Sequence, residues 1–295
     1  MLKSIKNWFL WVKRRTEIRS RVKRVIEKIR TEKELAKMNQ GLKDTHKGER
    51  CFILGTGPSI KNQDITLLKN EQTFAVAGFY LHHDYDIIHP KFFCIIDVAC
   101  FGEDKESKKF IENIAKKVHE DTSVILPFSF KNAIEKRGLF AKNKKIYLSQ
   151  NSRSTFRENG HFNIDIDKQI PVLVNVVFSA MITANYMGFK TMYLLGVEHD
   201  WLAKRSCTPE ANYFQDQHFY EEDEFPKIPL LTTFVPYEKI CISATLAYKT
   251  HRLLKQKMPD VQIFNLTPGS YLDVFPFQRY EDVAKGLNDN KDSHG

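Results

Sequence analysis

The apolar run Cys51-Phe52-Ile53-Leu54 ends directly in Gly55-Thr56-Gly57-Pro58-Ser59. A short apolar run bounded by glycine predicts a buried strand, and glycines allow the backbone N–H groups of the next loop to approach a ligand closely. Ile60 stands where a dinucleotide-binding fingerprint needs its third glycine, and no Lys-Ser or Lys-Thr pair completes a P-loop. The stretch therefore predicts either a tight strand-to-turn connection or a phosphate-binding loop.

Short apolar runs alternate with helix-like stretches along the rest of the 295 residues. This alternation predicts an α/β fold, in which a mostly parallel, Rossmann-like sheet is covered by helices on both faces. We expect strands at 73–79, 92–96, 123–126, 145–148, 191–195 and 261–266, and helices at 106–119, 176–187 and 243–257.

Polar or flexible residues follow several of these predicted strands. In such sheets ligands bind beyond the carboxyl ends of the strands, where the glycine loop, Gly78 and Asp97 would all lie. Asp97 could hold a ribose hydroxyl, a metal ion or a substrate hydroxyl, or it could simply cap the next element. We predict one crevice formed by these loops.

A second group of candidate site residues lies in 175–200. Asn175 is a suitable cap for a largely buried helix that stops at Gly188, and a helix N-terminus favours a phosphate. After the next strand come Glu198, His199 and Asp200. Histidine titrates near neutral pH, so His199 is the first candidate for a proton acceptor, with a structural histidine as the equal alternative.

Two further stretches carry candidate residues. Residues 203–240 are rich in aromatic and acidic side chains with weak periodicity, which is typical of a lid or substrate-binding insertion. His218 in this stretch is the second catalytic candidate. The turn at 267–270 offers Thr267 and Ser270 to a base or ribose, or is purely structural. We expect the polar chain after Asp282 to be disordered.

The net charge of +9 is concentrated at one end of the chain. Residues 1–50 contain 16 Lys or Arg and 6 Asp or Glu, which leaves about −1 for the rest. Because the globular part carries no excess of cations, nucleic-acid binding is not expected. Apolar residues fall on one helical face among the cations, which fits an anionic membrane surface bound through 1–30, or equally packing on the body or a second subunit of a homo-oligomer. They are Ile18, Val22, Val25, Ile26 and Ile29.

Five cysteines without Cys-x-x-Cys or zinc-ligand spacing are expected to be free thiols in a reducing compartment. No stretch has the roughly 18 apolar residues that span a bilayer, and no signal peptide is evident. The sequence therefore predicts a cytoplasmic protein, peripheral on the inner face of the cytoplasmic membrane if the basic segment binds lipid.

Three stretches together resemble the bacterial lipooligosaccharide sialyltransferases and the related 6-hydroxymethylpterin pyrophosphokinase-like and flagellin motility accessory factor families. They are the glycine loop through Ile60, the Asn175-capped helix that leads to the strand before Gly196, and the segment 264–270. The resemblance spans roughly residues 49–280.

This resemblance implies a GT-A-like Rossmann core with a lid and no metal requirement. A CMP-activated sugar would be bound by Gly55, Thr56, Gly57, Pro58, Ser59 and Asn175, with Glu198 near the nucleotide and Thr267 and Ser270 near the base. The implied reaction is inverting: a base deprotonates an acceptor hydroxyl, which attacks the anomeric carbon as CMP leaves. The acceptor would be a glycan or glycolipid of capsule or lipopolysaccharide, and the donor a CMP-linked ulosonic acid.

Three positions depart from the family pattern. No histidine lies at 242–244, where the family has its base, so His199 or His218 would take that role. Asp200 stands where the family has tyrosines that assist the departing phosphate, and is our third catalytic candidate. Asp97 replaces an asparagine and favours the pyrophosphokinase-like branch, so an ATP- and Mg²⁺-dependent transferase stays an alternative. The third hypothesis is that the chain is a non-catalytic, membrane-associated partner of other proteins.

These inferences divide the chain into three parts. Residues 1–46 form a basic helical segment with a polar linker, 47–285 form a nucleotide-sugar-binding catalytic domain, and 286–295 form a polar tail.

Overall fold

The computed structural model describes residues 2–151, 162–203 and 237–292. The helices are α1 (Leu2–Met38), α2 (Tyr85–Ile88), α3 (Lys105–Lys117), α4 (Lys131–Lys136), α5 (Val176–Met187), α6 (Tyr237–Lys257) and α7 (Tyr280–Asp292). The strands are β1 (Arg50–Leu54), β2 (Thr73–Val76), β3 (Phe92–Cys94), β4 (Ser123–Pro127), β5 (Lys145–Leu148), β6 (Gln150–Asn151), β7 (Ile170–Pro171), β8 (Thr191–Leu195) and β9 (Gln262–Asn265).

Seven strands form one parallel sheet in the order β5-β4-β3-β2-β1-β8-β9, and β6 pairs with β7 beside it. In the register at the centre, Ile53 lies between Phe74 of β2 and Leu194 of β8. The Rossmann-like α/β fold predicted from the sequence is therefore confirmed. The chain adds β2 to β5 on one side of β1 and then crosses over to β8 and β9 on the other.

Both faces of the sheet are buried, and alternate residues of each strand supply them. Cys51 and Ile53 of β1 pack into the core on the α5 side. Phe52 and Leu54 pack into the opposite core, which α3 supports through Ile111 and Ile114. A strand that is covered on both sides reads as a continuous apolar run, which explains the pattern at 51–54.

The helix after Asn175 has the predicted bounds. The Asn175 side chain accepts a hydrogen bond from the Phe178 N–H at 3.3 Å, and Gly188 ends the helix with a left-handed φ of +93°. Strands β5 and β8 also match their predicted ranges. These signals are local, and the tertiary structure leaves them unchanged.

Three predicted strands are shorter than expected, and one of them, β9, loses a single residue at each end. The chain leaves β2 at Val76 and β3 at Cys94, and 3₁₀ turns follow at Ala77–Leu81 and Val98–Phe101. The neighbouring strand ladder ends there, because parallel pairing of β3 with β4 stops at Cys94 and Ile125. An apolar run can thus continue past the end of a strand into a buried turn.

The predictions for the C-terminal part need two corrections. The chain after Asp282 is not disordered, because α7 runs through it to Asp292. Two contacts hold this helix on the domain: the Tyr280 hydroxyl donates to the Asp64 carbonyl at 2.7 Å, and Ala284 is buried. The α6 helix begins at Tyr237, earlier than predicted, and takes up the last residues of the expected lid. Residues 204–236, the remainder of that lid, lie outside the described residues.

The stretch 38–49, predicted as a polar linker, packs against the domain. Asn39 is fully buried, and its side-chain amide donates to the carbonyls of Tyr147 and Ile166 at 2.9 and 2.7 Å. Its side-chain oxygen accepts from the Tyr147 N–H at 3.2 Å, and Leu42 is also buried. Asn39 thereby satisfies the free backbone groups of β5, an edge strand that would otherwise lack a partner on this side.

The predicted basic helix is present as α1, although it is longer than the periodic region suggested. Every residue from 16 to 30 is exposed, and burial against the domain begins around Leu35. None of the helices in the described ranges is both long and apolar enough to cross a bilayer. Cys51 and Cys94 are buried free thiols, and burial raises the pKa of Cys94 to about 12, as expected for small hydrophobic residues rather than nucleophiles.

Candidate functional site

The sheet order creates a topological switch point at β1. The chain leaves β1 towards β2 on one side, and β8 lies on its other side, so the loops after β1 and β8 begin side by side at the carboxyl edge. Doubly wound sheets bind their ligands in the crevice at this position. The glycine loop follows β1, and Gly196 to Asp200 follow β8, so both predicted groups do meet at the switch point.

The two glycines of the first loop allow close contact between these loops. The Gly55 N–H donates to the Leu195 carbonyl at 2.7 Å, and the Gly57 N–H donates to the Gly196 carbonyl at 2.9 Å. A Cβ atom at Gly55 would lie 2.2 Å from the Gly196 oxygen, which no side chain tolerates. Glycine is therefore required here by the packing of β1 against β8, whatever ligand the loop binds.

The Glu198 side chain packs against the same loop. Its Oε1 accepts a hydrogen bond from the Ser59 N–H at 2.8 Å, and a Cβ at Gly57 would lie 1.4 Å from its Oε2. Burial raises the pKa of Glu198, and hydrogen bonding from Ser59 partly opposes that shift. Three loop amides thus have protein acceptors, and a phosphate that entered this loop would have to displace the Glu198 carboxylate.

The turn after β9 supports the loop after β8. The Thr267 hydroxyl accepts from the Val197 N–H at 3.0 Å, and the Ser270 hydroxyl donates to the Val197 carbonyl at 2.7 Å. The Tyr271 N–H donates to the Glu198 carbonyl at 2.8 Å. Thr267 and Ser270 therefore hold Glu198 and its neighbours in place, and their predicted contact with a base or ribose stays a prediction.

His199 forms a buried pair with His251 of α6. Their Nε2 atoms are 2.9 Å apart, so one ring donates its proton to the other, and His199 has a left-handed φ of +53° that turns its ring towards α6. The His251 ring packs against Phe178 and Phe275, with ring centroids 4.2 and 5.5 Å away. Burial lowers the pKa of His199 to about 4 and that of His251 well below its ordinary value. Both rings are therefore neutral at pH 7.

Sequence reasoning assigned no role to His251. The family resemblance placed the catalytic base at 242–244. In the structure the histidine of α6 that contacts the site lies about two turns further along the helix. The available signal was its position, because His251 falls on the buried face of α6 with Ala244, Ala247 and Leu254. A polar side chain on such a face needs a buried partner.

A groove of about 660 Å³ lies beside the histidine pair, within the size range of ligand sites. The Tyr248 ring stands edge-on to His199 at 6.1 Å, and the Tyr248 hydroxyl hydrogen-bonds the Tyr271 carbonyl. The charged residues of the groove are Lys249 and Arg252 of α6 and Asp273. Its lining consists of Leu202, Ala244, Thr245, Tyr248, Lys249, Arg252, Asp273 and Val274.

The other predicted residues lie at the same sheet edge but outside this group. Asp97 is exposed and caps a 3₁₀ turn, accepting from the Ala99 N–H at 3.0 Å. Asp97 follows β3, and β3 lies two strands away from β1, which corresponds to about 10 Å. Gly78 is buried in the turn after β2, and Asp200 is buried next to His199. His218 lies outside the described residues.

One cluster in the described chain has the chemistry of a metal site. His82, His83 and Asp84 place ligand atoms within 4.8 Å of one another, and His83 Nε2 is 3.1 Å from the Asp84 carboxylate. These side chains come from consecutive residues after β2, and the Asp84 N–H donates to the His82 ring at 3.2 Å. That bond engages the Nδ1 lone pair of His82.

No protein-family model matches the chain, and no curated protein matches it in sequence. Among solved structures, the chain is similar to the MAf glycosyltransferase from Magnetospirillum magneticum AMB-1, with 14% sequence identity and a TM-score of 0.43. The alignment covers 89% of this chain and 42% of that protein, so the chain spans less than half of its length. The fold assignment therefore rests on the strand order and register described above.

Proposed function

We propose that this chain is a glycosyltransferase that moves a sugar from a nucleotide donor to the hydroxyl of a glycan or glycolipid acceptor. The observation that carries the proposal is the buried, neutral His199–His251 pair beside a groove whose lining includes Lys249 and Arg252. The motif resemblance supplies the donor class, a CMP-linked ulosonic acid, and bacterial surface polysaccharide as the product.

The groove offers the chemistry that the two substrates need. Lys249 and Arg252 suit the phosphate of a nucleotide, and the apolar and aromatic wall around Leu202 and Tyr248 suits a sugar ring. The cations also stabilise the negative charge that develops on the departing phosphate. No divalent metal is required for this role.

His199 would accept the proton of the acceptor hydroxyl. A neutral imidazole can do this, and the bond to His251 fixes the orientation of its ring. With a pKa of about 4, His199 is a weak base, so proton transfer would accompany attack on the anomeric carbon rather than precede it.

A thermal-shift screen tests donor binding. The purified chain is titrated with CMP, UDP, GDP and ATP, each with Mg²⁺ or with EDTA, and CMP is expected to raise the melting temperature in both conditions. Lys249→Gln should reduce the shift, whereas Lys239→Gln, an exposed lysine in the first turn of the same helix, should leave it unchanged. The proposal is wrong if no CMP compound or other nucleotide sugar stabilises the chain and no sugar transfer to glycolipid acceptors occurs.

One observation favours a second reaction. The exposed carboxylate of Asp97, in the loop after β3, is suited to a divalent metal and a triphosphate, as in an ATP-dependent pyrophosphokinase-like transferase. In the same screen this reaction predicts stabilisation by ATP only with Mg²⁺, and loss of that stabilisation in Asp97→Asn.

A further inference from the structure

The exposed part of α1 carries an apolar stripe, formed by Ile18, Val22, Val25, Ile26 and Ile29. Between 49% and 61% of the surface of each residue is exposed. At 3.6 residues per turn the stripe covers an arc of about 100°. Since every residue from 16 to 30 is exposed, no part of the described chain covers it.

Cations line both borders of the apolar stripe. Helical spacing places Arg21 and Lys28 along one border, and Arg19, Lys23 and Arg30 along the other. Of the two acidic residues of 16–30, Glu27 falls on the opposite side of the helix, and Glu17 lies just outside the border that Arg21 and Lys28 form. The surface therefore pairs a wide apolar face with two cationic edges.

A second copy of this helix is a poor partner for the apolar stripe. Ile18, Val22, Val25 and Ile29 have the 4-3-4 spacing of a coiled-coil seam, so a dimer through α1 would be formed along them. Three of the four residues that flank this seam are then Arg19, Arg21 and Lys28, so a dimer along it would bring cations of the two copies close together. Like charges at these positions oppose self-association.

We infer that the apolar stripe of α1 docks on a membrane surface that contains anionic lipids. An amphipathic helix with cations along both borders lies in the plane of the interface, with its apolar face among the acyl chains and its charged groups at the lipid phosphates. In the sequence, Trp8 and Trp11 precede the stripe at helical spacing, and tryptophan favours the same interface. The rest of the chain would be held beside the bilayer by this arm.

Vesicle co-sedimentation with the full chain tests this inference and needs no nucleotide, so it is independent of the proposed reaction. Vesicles of phosphatidylcholine alone are compared with vesicles that also contain phosphatidylglycerol. We expect binding at least roughly tenfold stronger to the anionic vesicles, and a large loss of binding at high salt, because ions screen the lipid phosphates.

Matched variants separate the apolar contribution to vesicle binding from the electrostatic one. Val22→Gln with Ile26→Gln removes apolar area, and Arg21→Gln with Lys28→Gln removes charge; each pair should weaken binding roughly tenfold. Ile87→Gln is the control, since Ile87 is 47% exposed on the globular body. All of these positions are exposed, so melting temperatures should agree with that of the unsubstituted chain.

Two results would overturn the inference. One is anionic-vesicle binding that the stripe variants retain or that Ile87→Gln loses equally. The other is stripe-dependent dimerisation in sedimentation equilibrium without vesicle binding, which would assign the stripe to a second copy of the chain.

Discussion

The Nε2 atoms of His199 and His251 lie 2.9 Å apart and connect the loop after β8 to helix α6. Each ring satisfies one nitrogen of the other in a site from which water is largely excluded. The bond also links the proposed base to the helix that supplies the cations of the groove. A change in protonation at this pair should therefore affect both the stability and the site.

We expect the histidine pair to make stability fall on the acidic side. The pKa of His199 is about 4 in the folded chain and near 6.5 when unfolded, so the unfolded state binds more protons between these values. Its contribution is fully present above pH 6.5 and is lost as the pH falls towards 4. His199→Gln should flatten this dependence, by on the order of 2 kcal/mol in the free energy of unfolding between pH 7 and pH 4.5.

Urea unfolding at pH 4.5, 5.5, 6.5 and 7.5 measures this effect. His83→Gln is the control, because it also removes one histidine but at a side chain that is 70% exposed on the surface. Equal pH profiles for His199→Gln and the unsubstituted chain would contradict the prediction.

Gly57→Ala should destabilise the chain by about 1 to 3 kcal/mol, because its Cβ would overlap the buried Glu198 carboxylate. The backbone itself tolerates alanine, since φ at Gly57 is −66°. Gly286→Ala in α7, where a Cβ meets open space, should instead stabilise by about 0.5 to 1 kcal/mol. Thermal and urea unfolding report both changes.

A double variant tests whether the overlap with the Glu198 carboxylate is the cause of this destabilisation. Combined with Glu198→Ala, the Gly57→Ala substitution should cost much less than it does alone, because the overlapping carboxylate is gone. Additive effects of the two substitutions would show that the loop is strained for another reason.

Asn175→Ala should lower the free energy of unfolding by about 1 kcal/mol, because the first turn of α5 loses its cap. Asn175→Asp should keep that stability, since a carboxylate caps equally well and favours the helix N-terminus. If a donor phosphate also binds here, Asn175→Asp should reduce the thermal shift produced by CMP. Equal stability of the Ala and Asp variants would argue against the capping role.

Asn39→Ala should cost about 2 kcal/mol or more, because it leaves the buried backbone groups of Tyr147 and Ile166 without a partner. Lys37→Ala, an exposed neighbour, should change stability by less than about 0.5 kcal/mol. Hydrogen exchange provides a second readout: the Tyr147 amide should lose protection in Asn39→Ala alone. Unchanged protection would mean that Asn39 does not secure the edge strand.

The correct predictions from sequence rest on signals within a few residues. The Asn175 cap and the left-handed Gly188 fixed α5 to its observed bounds, and the apolar runs of β5 and β8 were read correctly because burial on both faces leaves little choice of residue. The prediction was wrong where the structure depends on contacts with distant elements, as at the end of β3 and in α7.

The residues of the candidate site were identified only in part, for the same reason. Glu198 and His199 stood out as titratable groups after a strand, but their partners are distant in the chain: Ser59 is 139 residues from Glu198, and His251 is 52 residues from His199. The linker prediction at 38–49 failed because its polar composition gave no indication that Asn39 would pair with β5.

Hydrophobic periodicity and capping act locally, so they were sufficient to predict a parallel α/β sheet with a glycine loop after β1 and a basic amphipathic helix. The contact of Glu198 with that loop and the buried hydrogen bond between the two histidines became visible only in the folded chain. Burial and pairing set the charge of a titratable group, and both depend on which distant elements pack against it.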